Sequence, residues 1–234
     1  GYFMRVERGR PLVRVKIAMS LDACSALEGG ESQWITGREA RADVHRLRAE
    51  SCAIATGIGT VLADDPLLNV RNEEFVTYGR QPTRIVLDSQ LRMPPDARML
   101  AIEGETLIFQ TRDEADRDAV EALTRPGVRV ERVDGLTGRV DIVSLLDRLA
   151  QLEVNELFVE AGPTLAGAFI VGNHCDELIV YVAPKILGST ARRAFDIPSP
   201  LNLLRSELWD IASSDRLGDD LRLVLKPLSS SVDT

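Results

Sequence analysis

The junction at residues 158–168 combines residue types that could hold a phosphate group. Gly162 follows a predicted strand and permits a tight turn, and Pro163 stands at the first helical position, where no needed donor is lost. The amides that follow would point outward from the positive end of a helix, which suits an anion. An ordinary strand–turn–helix connection has the same pattern. The G-x-G-x-x-G pattern of Rossmann folds is absent.

Two charged side chains stand on predicted strands. Glu160 ends the strand before Gly162, where open α/β sheets bind ligands, so its carboxylate could hydrogen-bond sugar hydroxyls or move a proton. Lys16 lies on an early strand and could approach a phosphate, an oxyanion or an imine. The alternative for both is an ordinary solvated charge.

A tryptophan and three arginines form a further candidate group. Trp34 stands between a polar loop and a helix, where its ring either stacks on a flat heterocycle or anchors the loop to the core. Arg41 and Arg48 are seven residues apart and share a helix face, and Arg71 follows in a loop. Guanidinium groups bind phosphate bidentately, although a solvated helix face would also carry arginines.

Composition narrows the class of protein. The net charge of −8 argues against a nucleic-acid or membrane-surface partner but permits a local basic pocket. The sequence contains no long apolar run of the kind that forms a signal peptide or a membrane span. Its three cysteines are far apart in the sequence, which suits free thiols in a reducing compartment, so we expect a cytoplasmic protein. Two histidines are too few for a zinc site, and no metal is expected. The scarcity of histidine and cysteine fits a reductase that uses a soluble nicotinamide, because such an enzyme needs no protein nucleophile.

The elements that must position these residues follow from apolar periodicity. Strands are predicted at 12–18, 53–58, 84–88, 106–110, 128–133, 156–160 and 177–183, and helices at 36–49, 141–152 and 163–171. Thr36 is predicted as the N-cap of its helix, with Glu39 completing a capping box. Residues 208–226 predict a hairpin that turns at 218–220. The alternation indicates an α/β fold with a mixed, mostly parallel sheet, flanking helices and an antiparallel C-terminal hairpin.

Five segments in register closely resemble the reductase domain of the bifunctional riboflavin biosynthesis deaminase/reductase. They are residues 15–22, 30–36, 60–66, 159–165 and 182–188, and the resemblance covers about residues 10–226. It implies a dihydrofolate-reductase-like fold and NADPH as cofactor. The implied reaction is reduction of 5-amino-6-(5-phosphoribosylamino)uracil, with hydride delivered to ribose C1′ to give the ribitylamino product.

The resemblance also assigns site residues. The implied cofactor contacts are Ala18, Trp34, Thr60, Asp64, Ser89, Gly162, Pro163, Thr164, Leu165, Ala166, Gly167 and Ala168, of which 162–168 would hold the phosphates. The implied substrate contacts are Ser32, Arg48, Leu68, Arg71 and Glu160. Arg48 and Arg71 would clamp the 5′-phosphate, and Glu160 would hold the ribose. We expect Lys16 and Glu160 to be the catalytic residues that assist proton balance. Ser89 and Arg84 are the candidates for the NADPH 2′-phosphate.

The chain departs from the family pattern at one loop. Ala23 stands where the family usually has glycine, and a left-handed backbone there would cost about 1 kcal/mol or more. A folate- or pterin-type reductase of the same fold, which would not need the Arg48–Arg71 clamp, is one alternative function. A degenerate ligand-binding domain is the other.

The expected organisation is a single reductase domain at 11–228, preceded by a remnant of an interdomain junction at 1–10 and followed by a disordered tail at 229–234. The zinc deaminase domain that normally precedes this domain has no signature in the chain. The resemblance implies a homodimer. Residues 178–183 fit either a dimer-forming strand or a buried central one.

Overall fold

The computed structural model describes residues 1–72, 74–75, 77–113, 117–198 and 209–228. The strands are β1 (Leu12–Ser20), β2 (Cys24–Ala26), β3 (Ala53–Gly57), β4 (Thr83–Leu87), β5 (Thr106–Gln110), β6 (Val128–Arg132), β7 (Gly135–Leu136), β8 (Arg139–Val140), β9 (Glu156–Glu160), β10 (Glu177–Ala183), β11 (Arg192–Arg193), β12 (Trp209–Leu217) and β13 (Asp220–Pro227). The helices are α1 (Tyr2–Arg8), α2 (Arg38–Glu50), α3 (Ile58–Asp64), α4 (Arg117–Leu123), α5 (Ile142–Gln151) and α6 (Pro163–Val171), with a 3₁₀ turn at Arg98–Ala101.

The chain forms two compact units. Unit 1 comprises Gly1–Leu12 and Ala42–Gly162, and unit 2 comprises Val13–Arg41 and Pro163–Thr234. The single reductase domain at 11–228 stays a prediction, as does the junction at 1–10, where the structure has helix α1. The tail at 229–234 and the predicted start of the hairpin at position 208 lie outside the described residues. No helix in the described ranges is long and apolar enough to span a membrane.

Unit 1 is built on parallel strands in the order β9-β3-β4-β5-β6. Every side chain of β5 is buried, and Ile54, Ile85 and Ile108 are completely inaccessible to solvent. Such near-continuous apolar runs are typical of parallel strands that are covered on both faces. Because the strands are parallel, their carboxyl ends lie along one edge, and the segments that follow β3, β4, β5 and β9 start there.

Unit 2 joins one parallel pair to an antiparallel hairpin. Strand β10 pairs with β1 in parallel and with β13 in antiparallel fashion, and β12 is the outer strand beside β13. Both hydrogen-bonding edges of β10 are therefore occupied, so the interpretation of 178–183 as a dimer-forming strand is wrong. Leu217 pairs with Asp220, and the hairpin turns on Gly218, whose φ is +63°, and Asp219.

Helix α2 begins later than its sequence predicts. The first helical residue is Arg38, so Thr36 is not the N-cap. Instead, the backbone N–H of Gly37 donates to Oδ2 of Asp220 at 2.6 Å, and Asp220 is 3% exposed. A carboxylate supplied by β13 thus binds an amide at the helix start that has no partner within the helix. The predicted capping box does not form. The group that accepts a hydrogen bond from the start of the helix is the side chain of Asp220, which lies 183 residues further along the chain.

The predicted fold class is confirmed. The five strands of unit 1 and the β1–β10 pair are parallel, and β12 and β13 are antiparallel, which gives the mixed, mostly parallel sheet expected from the sequence. Strands β5, β9 and β10 and helix α6 have the predicted bounds. Helices α1 and α4 and the two-residue strands β7, β8 and β11 were not predicted, since such short elements carry little periodicity.

Candidate functional site

A buried ion pair lies at the carboxyl end of β9 in unit 1. Nε of Arg48 donates to Oε1 of Glu160 at 2.5 Å, and Nη2 donates to Oε2 at 3.0 Å. The side chains are 11% and 9% exposed. Helix α2 supplies the guanidinium and β9 the carboxylate. Burial lowers the pKa of Arg48, but the charge and hydrogen bonds of Glu160 outweigh it and hold that pKa above its ordinary value.

The rest of the Arg48 guanidinium faces the loop after α3. Nη1 donates to the carbonyl oxygen of Asn69 at 3.0 Å. Two faces of the guanidinium are thus used within the protein, and a phosphate would meet its remaining N–H groups. A carboxylate oxygen can accept more than one hydrogen bond, so a sugar hydroxyl could join Arg48 at Glu160. The pair fixes both side chains at the carboxyl end of β9.

Arg71 and His45 complete this group in unit 1. Nη1 of the exposed Arg71 donates to Oδ1 of Asn69 at 3.1 Å, and the backbone N–H of Arg71 points at Nδ1 of His45 at 3.5 Å. Burial, followed by the charges of Arg48 and Arg71, lowers the pKa of His45 to about 4, although Glu160 opposes this. His45 is therefore a neutral acceptor at pH 7, beside two guanidinium groups.

Leu68, a predicted substrate contact, is only 3% exposed. Its side chain belongs to the apolar cluster that contains Ile54 and Val86, and its φ is +45°. A substrate could therefore contact Leu68 mainly at the backbone atoms of this residue. Thr60 and Asp64, two predicted cofactor contacts, lie on α3, which starts at the carboxyl end of β3.

Ser89 and Arg84, the two candidates for the 2′-phosphate, lie at opposite ends of β4. Arg84 is 1% exposed and donates to Thr106 Oγ1 and to the carbonyl oxygens of residues 102–104. Its guanidinium holds the loop before β5, so the interpretation of Arg84 as a phosphate ligand is wrong. Ser89 follows the carboxyl end of β4 and is half-buried, which leaves it as the candidate.

The predicted phosphate segment at 162–168 is only partly accessible. Gly162, Thr164 and Ala168 are exposed, whereas Ala166 and Gly167 are buried in α6. A Cβ on Gly167 would stand 2.6 Å from the carbonyl oxygen of Asp196, so this glycine is required for close packing within unit 2. Thr164 Oγ1 donates to Oδ2 of Asp196 at 2.8 Å. A phosphate could therefore meet the exposed residues of the segment but not Ala166 or Gly167, and Gly167 is explained by packing.

Trp34, the aromatic residue of the predicted site, lies in unit 2 and is 60% exposed. Arg41 Cζ lies 4.5 Å from the centre of its ring, and Arg41 Nη1 donates to the Thr36 carbonyl oxygen at 2.6 Å. Lys185 Nζ donates to the carbonyl oxygen of Trp34 at 2.6 Å. The alternative in which Trp34 anchors the loop to the core is wrong, because the ring is a platform covered on one face by a guanidinium. Ser32 lies half-buried in the same loop.

Lys16 and Ala18 share the half-buried face of β1, opposite Val15 and Ile17. Ser20 does not continue that face, because its buried hydroxyl donates to Asp22 Oδ1 at 2.5 Å and accepts from the backbone N–H of Cys24 at 3.0 Å. Strand parity alone would place Ser20 on the same face as Lys16, but the structure turns its side chain inward.

The loop after β1 is held by Asp22. Its carboxylate accepts from Ser20 and from the backbone N–H groups of Leu187 and Gly188, and these bonds lower its pKa to about 2. Ala23, the departure from the family pattern, has a φ of +59°. The backbone is therefore left-handed at this position despite the Cβ. Within the described ranges, no group of three or more metal-ligating side chains is found.

Residues 11–223 match the family described as RibD C-terminal domain.

The chain belongs to the RibD C-terminal domain family. Over 96% of its length it is 41% identical to the riboflavin biosynthesis protein RibD of Escherichia coli. The 5-amino-6-(5-phosphoribosylamino)uracil reductase of Buchnera aphidicola subsp. Acyrthosiphon pisum is 33% identical over 86% of the chain. Form 2 of RibD from Acinetobacter baumannii superposes with a TM-score of 0.84, at 33% identity over 97% of the chain.

These relatives differ in how much of them the chain spans. It covers 62% of the E. coli RibD and 60% of the A. baumannii RibD, but 99% of the Buchnera reductase. The resemblance noted in the sequence is thus confirmed for the reductase part of RibD.

Four residues of this RibD C-terminal domain contact predicted site residues but were not themselves predicted from the sequence. They are His45, Asn69, Asp196 and Lys185, which contact Arg71, Arg48, Thr164 and Trp34 respectively. Asn69 contributes a backbone carbonyl oxygen to Arg48, which no residue type reveals. Lys185 lies in a segment that carried the resemblance, so its position there was the one available signal.

Proposed function

We propose that this chain is an NADPH-dependent reductase of 5-amino-6-(5-phosphoribosylamino)uracil. The observation that carries the proposal is the 33% sequence identity to the Buchnera reductase of that name, of which the chain covers 99%. The Arg48–Glu160 pair supports it, because a fixed carboxylate beside guanidinium groups suits a sugar that carries a phosphate. NADPH, when bound, supplies the hydride for ribose C1′.

The protein's own part in this reaction is to bind and orient. Both Glu160 oxygens are held by Arg48, and the carboxylate also accepts hydrogen bonds from the ribose hydroxyls. Arg71, with the remaining N–H groups of Arg48, binds the 5′-phosphate. Lys16 and Glu160 hold the protons that balance ring opening and reduction. Such a site works by positioning and electrostatics, with no covalent adduct.

The residues fit a nicotinamide dinucleotide at several points. A Cβ at Gly162 would have only the Thr60 hydroxyl within 4 Å, at 3.9 Å, so a phosphate can approach this turn. Ser89 offers a hydroxyl after β4, and Thr60 and Asp64 follow β3. Trp34 offers one open face of its ring, and Ala18 and Ser32 lie near it in sequence on unit 2. These residues would hold the cofactor and the pyrimidine.

The wider setting is also a proposal. We infer that the protein works in the cytoplasm as a homodimer, on a small phosphoribosylamino-pyrimidine and without a nucleic-acid or membrane partner. A zinc deaminase domain is its expected partner in the pathway, since the RibD relatives are longer than this chain.

The test compares Arg71→Ala with Arg48→Ala by following the loss of NADPH absorbance. Arg71 is exposed, so its removal should raise KM for the phosphoribosyl substrate about tenfold or more and leave Tm unchanged. Removal of Arg48 leaves Glu160 buried without its cation, so it should also destabilise the fold by about 3–5 kcal/mol. An unchanged KM in Arg71→Ala would reject the clamp.

Two other substrates decide between the alternatives. Turnover of a dihydropterin or dihydrofolate instead of the phosphoribosyl substrate would identify a folate-type reductase. Tight NADPH binding with no turnover of either would identify a degenerate binding domain. The Arg48–Arg71 group favours the phosphoribosyl substrate, because a pterin carries no phosphate for it to bind.

A further inference from the structure

The side chain of Thr56 is a buried polar group to which nothing above gives a role. Thr56 lies on β3 of unit 1 and is completely inaccessible to solvent. Its hydroxyl oxygen has no hydrogen-bond partner among the described residues. A buried hydroxyl in this situation gives up its bonds to water and gains none in return, which opposes folding. Such groups are uncommon in native proteins, and a role at a functional site is one reason for keeping them.

The register of the sheet places Thr56 beside Glu160. Strands β3 and β9 are parallel, and Ala55 lies opposite Val159. Thr56 and Glu160 are the next residues on the two strands, so they are neighbours on one face of the sheet, with their backbones about 4.8 Å apart. On its other side Thr56 pairs with Val86 of β4, which is apolar and buried. Of these two neighbours across the strands, Glu160 is the one that can accept a hydrogen bond from the hydroxyl.

The ion pair of the candidate site forms over the same face. Leu68 packs on the face that carries Thr56, because it belongs to one apolar cluster with Ile54, two residues before Thr56 on β3. The next residue, Asn69, accepts a hydrogen bond from Nη1 of Arg48 at 3.0 Å. Arg48 is thus held over this face while its other nitrogens bind the carboxylate at the end of β9.

We propose that Thr56 is a positioning residue for Glu160, and that its hydroxyl donates to the carboxylate when a substrate phosphate engages Arg48. The inference rests on the proposed function, in which Arg48 binds the 5′-phosphate. A phosphate monoester carries a charge of about −1.5 to −2 near pH 7, so it competes with Glu160 for the guanidinium. A hydroxyl hydrogen turns freely about its C–O bond. Thr56 therefore supplies the donor that keeps Glu160 directed at the ribose.

Removal of this hydroxyl should separate stability from substrate binding. Thr56→Val keeps the shape of the side chain and deletes the buried polar atom, so Tm should stay the same or rise. The KM for the phosphoribosyl substrate should rise about tenfold, because a hydrogen bond to a charged group is lost in the complex, while KM for NADPH stays unchanged. Thr56→Ser keeps the hydroxyl and removes a buried methyl group, so it should lower Tm and leave both KM values near native.

Thr106→Val is the matched control. Thr106 is also completely buried, on β5 of the same unit, but its hydroxyl oxygen accepts from Nε of Arg84 at 2.9 Å. The same substitution there takes a partner from a buried guanidinium, so Tm should fall and both KM values should stay near native. The opposite patterns at Thr56 and Thr106 distinguish a role toward Glu160 from a general effect of deleting a buried hydroxyl.

Calorimetric titration of the full chain with ribose 5-phosphate tests the role without turnover. The native protein and Thr56→Ser should bind it about tenfold more tightly than Thr56→Val. Unchanged KM and affinity in Thr56→Val, or equal losses in Thr56→Val and Thr56→Ser, would overturn the role of Thr56 and leave the proposed function standing if the native protein turns over. Hydroxyl-dependent affinity without turnover would reject the proposed function and leave the role of Thr56 standing. A native protein that neither binds ribose 5-phosphate nor turns over the phosphoribosyl substrate would overturn both.

Discussion

Glu160 and Arg48 lie 112 residues apart in the chain and form the best-defined contact of the candidate site. Each was predicted as a substrate contact on its own grounds. Their pairing changes the meaning of both, because the carboxylate is oriented before substrate arrives. Preorganised side chains of this kind reduce the reorganisation needed during the reaction.

Ala23 offers a test of backbone strain. Its φ of +59° is costly for a residue with a Cβ, so Ala23→Gly should stabilise the fold by about 1 kcal/mol and raise Tm by about 2–4 °C. The measurement is thermal unfolding by circular dichroism. Ala26→Gly, at a buried position of the adjacent strand β2 with no positive φ, is the control and should lower Tm. Equal effects of the two changes would contradict the strain.

His45 should make stability depend on pH. Its pKa is about 4 in the folded protein and near 6.5 when unfolded, so between these values the unfolded chain binds the extra proton. The stabilisation from neutral His45 is therefore full above pH 6.5 and is lost as pH falls toward 4. In His45→Gln, the drop in unfolding free energy between pH 7 and pH 5, from urea denaturation, should be smaller.

The control for that experiment is the range from pH 7 to pH 8. There His45 is neutral in the folded protein and mostly neutral in the unfolded chain, so the variant and the native protein should show nearly the same slope. An unaltered drop between pH 7 and pH 5 in His45→Gln would contradict the assigned pKa.

At the scale of elements, two cationic side chains hold the loop before α2 through Trp34, one at its ring and one at its backbone. Arg41 covers one face of the ring, and Lys185 binds its carbonyl oxygen. Arg41 lies on α2 itself, one turn into the helix, so the position of the indole follows from the position of the helix. This arrangement leaves one face of the ring for a ligand.

Arg41→Ala should loosen this platform. An exposed cation–π contact contributes about 0.5–1 kcal/mol, so NADPH affinity should fall about two- to fivefold. The readout is the fluorescence of Trp34 in a Trp209→Phe background, where it is the single tryptophan. Arg41→Lys should recover part of the affinity. Unchanged quenching by NADPH in Arg41→Ala would show that the contact does not position the ring.

At the scale of the whole molecule, the proposed homodimer needs a surface that the structure leaves open. Strand β10 is excluded, but the outer strand β12 is unpaired on one side in the described part of the sheet and exposes Ile211 at 58%. Outer strands with exposed apolar residues are natural sites of pairing between chains. The negative net charge opposes unspecific association and favours a defined interface.

Sedimentation equilibrium tests this surface. The native protein should have twice the chain mass of 25.7 kDa, and Ile211→Lys should shift it toward the monomer. Leu136→Lys changes another exposed leucine outside β12 and should keep the dimer. A native monomer would reject the homodimer, and a dimeric Ile211→Lys would move the interface away from β12.

Much of the fold was predictable because several strands and helices carry their own local sequence pattern. Strands β5, β9 and β10 are short apolar runs bounded by polar or turn residues, and α6 begins at a proline that suits its first turn. The start of α2 was not predictable, because Asp220 binds Gly37 across 183 residues and no local signal marks that contact. Arg84 likewise has a side chain typical of phosphate binding but donates to carbonyl oxygens of a neighbouring loop.

The sequence by itself determined the fold class, the family and the residue types near the site, since periodicity and short motifs are local properties of the chain. Only the tertiary structure decided which charges pair, which small residues serve packing and which ends of strands are accessible. Glu160 with Arg48, Gly167 against Asp196 and Thr56 beside Glu160 are all of this kind. Their roles depend on distances between segments remote in sequence, and these are fixed only when the strands align and the core is packed.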